Sequence, residues 1–139
     1  MGSDVVVVGA TVPAGYTPEI ISGNITRNEF GMHMKPGPLY VDVVKCPLEN
    51  AASLSDIENY SFPDPYAIGR FEKARRDIDK YGDRYFVIGD VEISLFEMAW
   101  HLTGLEKYMI GMLCEEPWLE PLNDLVEIWS TGLAIQLNK

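Results

Sequence analysis

Residues 85–109 read YFVIGDVEISLFEMAWHLTGLEKYM. YFVIG is a short aromatic and β-branched run closed by a glycine, which predicts a buried strand over 85–89. Ser94 stands three residues before Glu97, the spacing of a capping box, and predicts a helix beginning there. Gly104 breaks that helix, and Thr103 with Glu106 repeats the capping spacing for the next one. A buried strand that feeds capped helices is the unit of α/β architecture.

The same reading extends toward the N-terminus. VVVV (5–8), ended by Gly9, predicts a second strand buried on both faces, as in a parallel sheet. A polar loop with Pro13, Gly15, Pro18 and Gly23 follows. In ITRNEFGMHM (25–34), Phe30, Met32 and Met34 alternate with polar or small residues, which predicts a strand. KPGP (35–38) is turn chemistry, and LYVDVV (39–44) completes an antiparallel hairpin. Ser55 with Glu58 predicts a capped short helix within 52–60. Asp64 as N-cap and Pro65 at the first helical position predict another, carrying Ile68, Phe71, Ala74, Ile78 and Tyr81 on one side and stopping at Gly82. Glu116-Pro117 starts the last helix, striped by Trp118, Leu122, Leu125, Trp129 and Leu133.

The chain has 139 residues, net charge −10 and a hydrophobic fraction of 47%. That length suits a single domain, here expected over 1–139, with a real core. The acidic balance argues against nucleic acid and against anionic membrane surfaces. No apolar run reaches the roughly 18–20 residues that span a bilayer. The start, MGSDVVVVGA, has no basic region before its apolar run, so no secretory signal is expected. The two cysteines, Cys46 and Cys114, are expected as free thiols in a cytoplasmic chain.

The order of NEFG (28–31), LYVDVVKCPLENAASLSDIENYSFPDP (39–65) and VIGDVEISLFEMAWHLTGLEKYM (87–109) resembles the uroporphyrinogen decarboxylase superfamily, closer to its methyltransferase-like branch. The resemblance runs from about Asp4 to Lys139. It implies a segment of a (β/α)8 barrel, matching an internal or N-terminal part of the family's fold. It also implies a tetrapyrrole or methyl-donor ligand. The zinc and the corrinoid of the methyltransferase branch would depend on later segments, so no cofactor is expected within this chain. Aligned from Asp4, the position of the decarboxylases' catalytic Asp falls at Thr11, which puts tetrapyrrole decarboxylation itself in doubt. The expected fold is therefore α/β: a partial barrel with an antiparallel hairpin and a helical C-terminal part. Such a segment exposes strand edges and apolar faces, so a homo-oligomer is expected.

The candidate ligand-binding residues are Asp90, Glu92, Glu97, His33 and His101. Asp90 and Glu92 follow a strand, where α/β proteins place their sites, and two close carboxylates suit a cation or acid–base work. The competing reading is a solvated loop that favours a helix N-terminus. Glu97 is explained by capping alone. His101 has no nucleophile or paired Asp nearby and reads as a packed or surface residue. Alternation sets His33 opposite Met32 and Met34, on an exposed face or facing a pocket. The cysteines lack zinc spacing, and no metal site is expected. No catalytic residue is assigned. Two functions follow: a decarboxylase- or methyltransferase-like protein of unknown substrate, probed as an enzyme, or a non-catalytic partial barrel serving as an oligomeric binding module or gene fragment product.

Overall fold

The computed structural model describes residues 4–91 and 93–138. It is a mixed α/β chain with a four-stranded antiparallel sheet and a helical C-terminal part. Its elements are β1 (Val5–Gly9), β2 (Glu19–Ser22), β3 (Ile25–Arg27), β4 (His33–Pro36), β5 (Val41–Lys45), α1 (Leu54–Glu58), α2 (Glu72–Tyr81), β6 (Phe86–Asp90), α3 (Leu95–Thr103), α4 (Leu105–Cys114) and α5 (Leu119–Leu137). They gather into two compact units: residues up to Tyr16 with 64–93 and 128 onward, and residues 17–63 with 94–127. The described strands form no closed barrel.

In the first unit β1 and β6 pair in parallel, with Val7 opposite Ile88 and Gly9 opposite Asp90. Helix α2, which precedes β6 in the chain, packs on β1. The expectation of strands buried on both faces is corrected. Val8 is buried, but Val7 is 57% exposed, Phe86 69% and Ile88 42%. Strand alternation accounts for the difference, because only one face of this narrow sheet meets helices. A Cβ on Gly89 would lie 3.5 Å from the Leu137 Cβ, so the covered face also meets the end of α5.

The loops of this unit are locked by Arg70, whose side chain is buried although charged. Its Nε donates to the Asp64 carbonyl at 2.7 Å and its Nη1 to the Thr11 carbonyl at 3.1 Å. The Thr11 amide and hydroxyl donate back to the Arg70 carbonyl at 2.8 and 3.1 Å. The helix expected from Asp64-Pro65 begins only at Glu72. Asp64 does accept from the Tyr66 amide at 2.8 Å, but Gly69 sits at φ +94°, where a helix cannot continue. A Cβ there would lie 2.6 Å from the Ala14 backbone. Ile68, expected on the buried side, is consequently exposed.

In the second unit β2, β3, β4 and β5 form an antiparallel sheet in sequence order. An antiparallel hairpin forms here as expected, but its strands are shifted: Lys35 and Pro36, expected in the turn, pair with Asp42 and Val41, and the connection is 37–40. Two readings are corrected. The run 25–34 is not one strand: Asn28–Gly31 is a turn, because the Asn28 side chain accepts from the Phe30 and Met32 amides at 3.1 and 3.0 Å and Gly31 takes φ +78°. The stretch placed in a polar loop contains β2. Its sign was Gly23-Asn24, a two-residue hairpin connection, hidden because the paired isoleucines Ile20 and Ile21 do not alternate.

Helix α1 is capped two residues earlier than expected, by Ser53 with Asp56. The Ala52 and Ser53 amides both donate to Asp56 Oδ2 at 2.9 Å. Ser94 caps α3 as expected, accepting from the Glu97 amide at 3.1 Å. Thr103 does not cap α4. Its hydroxyl turns back to the Ala99 carbonyl at 2.9 Å, and Gly104 at φ +93° takes the cap position. Helix α5 begins at Leu119, two residues after Pro117, and its buried stripe runs through Leu122, Val126, Trp129 and Leu133.

Candidate functional site

Asp90 closes β6, and the carboxyl ends of the parallel pair β1 and β6 stand together at Gly9 and Asp90. The approach is close enough that a Cβ on Gly9 would lie 2.9 Å from the Asp90 carbonyl oxygen. Counting along the strand, Asp90 shares its face with Phe86 and Ile88, the exposed apolar face. Its carboxylate therefore stands at one end of an apolar surface, at the position where parallel sheets bind ligands. Glu92 lies outside the described residues. On the opposite face, Val8, Ile78, Val87, Gly89 and Leu137 line a pocket of about 300 Å³. Thr11, at the position the resemblance gives to a catalytic carboxylate, is tied to Arg70 and serves the loop structure.

His33, Glu97 and His101 belong to the second unit. Glu97 and His101 are one turn apart on α3. Glu97 lies in the first turn, behind the Ser94 cap. The His101 ring is half-buried beside the Trp100 ring, with centroids 3.9 Å apart. Burial pulls its pKa down, and the Glu97 carboxylate partly opposes this. Only the main-chain amide of Glu97 takes part in the Ser94 cap; the reciprocal capping-box bond from its carboxylate is not seen among the described residues.

His33 has more around it. It opens β4 and lines a cleft of about 530 Å³ with Arg27, Glu29, Phe30, Lys45 and Tyr60. Met34 pairs with Val43 and Thr26, and His33 with Lys45 and Arg27, so His33 and Met34 face opposite ways as alternation requires. The Tyr60 hydroxyl donates to the Phe30 carbonyl at 2.6 Å, and burial raises its pKa, which keeps it protonated. Phe62 meets both rings edge-on, at 5.9 Å from Phe30 and 5.5 Å from Tyr60.

No family model, curated protein or solved structure matches this chain.

Lys107 had no assigned part in the sequence reading. Its ammonium donates to the carbonyls of Leu48 (3.0 Å), Glu49 (3.1 Å) and Ala51, and lies 5.3 Å from the centre of the Trp118 ring. It borders a second cleft of about 570 Å³, with Ile110, Glu116 and Trp118. Burial lowers its pKa, and the carboxylates of Asp56 and Glu49 oppose that. All three ammonium protons are occupied by main chain, so Lys107 holds the 48–51 loop and is not a free base. Sequence spacing carried no sign of this, because the acceptors are backbone atoms more than fifty positions away.

Cys46 is half-buried after β5, its thiol pKa raised by burial and by Glu49. Cys114 is exposed. Among the described residues, no three His, Cys, Asp or Glu side chains gather as a group that could hold a metal ion.

Proposed function

We propose that this chain is a uroporphyrinogen decarboxylase- or methyltransferase-like protein that binds a small molecule, a tetrapyrrole or a methyl donor, at the carboxyl ends of β1 and β6. One observation supports the reading: two parallel, in-register strands, with the helix that precedes β6 packed on β1 and Asp90 at the carboxyl end of the exposed face. Parallel strands of (β/α)8 barrels bind their ligands at the carboxyl ends, which supports this end of the pair as the ligand end. The exposed side chains of Val7, Phe86 and Ile88 supply apolar surface, and the Asp90 carboxylate can accept hydrogen bonds from pyrrole N–H groups or pair with a cationic donor. The role assigned is ligand capture. Thr11 stands where decarboxylation would want a carboxylate, and no bond-breaking step is assigned to the residues named here.

Titration of the chain with uroporphyrinogen and with a methyl-corrinoid tests this by tryptophan quenching. One of the two should bind saturably, and Asp90→Asn should weaken it about tenfold. Failure of both ligands to bind would overturn the reading.

A second reading, a non-catalytic oligomeric module, is favoured by the same exposed face. A two-stranded sheet that leaves Phe86 69% exposed gains from a covering partner, and a second copy of the chain is the simplest one. Sedimentation should then show a dimer or larger species that Ile88→Glu dissociates. A monomer throughout the micromolar range would exclude this reading.

A further inference from the structure

Glu19, Arg27, His33 and Lys45 stand directly opposite one another across the four strands of the antiparallel sheet. Opposed residues on regular antiparallel strands share a face, with Cβ atoms about 4.5–5.5 Å apart; the register shifts between His33 and Met34, and there the shared face is shown by His33 and Lys45 lining the same cleft. The row therefore runs acid, base, imidazole, base. Glu19 pairs with Arg27 at the outer end. Neither the His33 imidazole nor the Lys45 ammonium has a protein partner among the described residues. Setting basic groups opposite one another is unfavourable in a sheet. A chain with 21 acidic residues has carboxylates enough to neutralise that end, yet Glu49, four positions beyond Lys45, directs its carboxylate to the Cys46 amide instead.

The row opens on the 530 Å³ cleft, a volume suited to a small molecule. Its other wall is apolar and braced. Phe30 and Tyr60 line it, joined by the hydrogen bond from the Tyr60 hydroxyl and by their shared edge contacts with Phe62. The Asn28 side chain fixes the turn that carries Phe30. Glu29 adds one carboxylate to the lining, which disfavours a long polyanion such as nucleic acid.

We infer that this cleft binds a small molecule with an apolar planar body and one oxyanion, a carboxylate or a phosphate monoester. The oxyanion lies between His33 and Lys45, and the body lies against Phe30 and Tyr60. The site is separate from the one proposed at Asp90 and does not depend on it.

The chain has two histidines, so their ring resonances provide a site and an internal control. Benzoate, phenyl phosphate, inorganic phosphate and benzyl alcohol are titrated into the full chain at constant ionic strength. Benzoate or phenyl phosphate should shift the His33 ring saturably and leave His101 in place, and the tighter of the two names the head group. Inorganic phosphate and benzyl alcohol should each bind at least about tenfold more weakly. Lys45→Ala should weaken the aromatic anion about tenfold with an unchanged circular dichroism spectrum, and Lys45→Arg should retain it, separating loss of charge from loss of fold. Non-saturating shifts, equal shifts at His101, or wild-type affinity in Lys45→Ala would overturn the assignment. Equal affinity for inorganic phosphate would overturn its apolar half.

Discussion

The Lys107 ammonium satisfies three main-chain carbonyls of a loop that has no regular structure of its own. Hydrogen bonds from a charged donor contribute more than neutral ones, though partial solvent access here reduces the gain. Lys107→Met should destabilise the protein by about 1–2 kcal/mol, read as a lower urea midpoint with an unchanged slope. His101 gives a second prediction. Its folded pKa lies below the ordinary 6.5. The unfolded chain therefore binds the proton more readily, and stability falls as pH drops from about 6.5 through the folded value. His101→Gln should flatten the urea midpoint against pH in that window. An identical slope in both proteins would show that His101 does not carry the dependence.

Capping decides where the helices start. Ser94 receives the Glu97 amide at the head of α3, and Ser94→Ala should cost about 1 kcal/mol in thermal or urea unfolding. This start was legible because both partners are side chain and backbone within one turn. The start of α1 was misplaced because Ser53-Asp56 and Ser55-Glu58 offer the same spacing, and two main-chain amides at 52 and 53 choose the first. The start of α2 was misplaced because the conformation of Gly69 answers to Ala14, far away in sequence. The capping spacing at Thr103 failed for a local reason: a threonine hydroxyl competes for the preceding turn's carbonyl.

At the scale of the whole molecule, charge governs behaviour in solution. A net charge of −10 opposes non-specific association at neutral pH and vanishes near the pI of about 4.5. Solubility, followed by light scattering, should therefore pass through a minimum near pH 4.5 and recover on either side. Stability declines further in acid, because Asp56 has its pKa held below 3.8 by the Ala52 and Ser53 amides and loses that advantage as pH falls through its folded value. The described helices include none long and apolar enough to cross a membrane.

By itself the sequence determined what depends on near neighbours. The α/β class, strands at VVVV and, one residue out of place, at YFVIG, an antiparallel hairpin near 33–45 and the Ser94 cap follow from periodicity, glycine and capping spacing, which act over a few residues. The tertiary structure alone decided which strands pair, that the β1–β6 sheet is covered on one face, and that Arg27, His33 and Lys45 stand in one row. It also decided that Arg70 and Lys107 serve the backbone. These depend on register and on main-chain acceptors distant in the chain, and side-chain spacing carries no information about either.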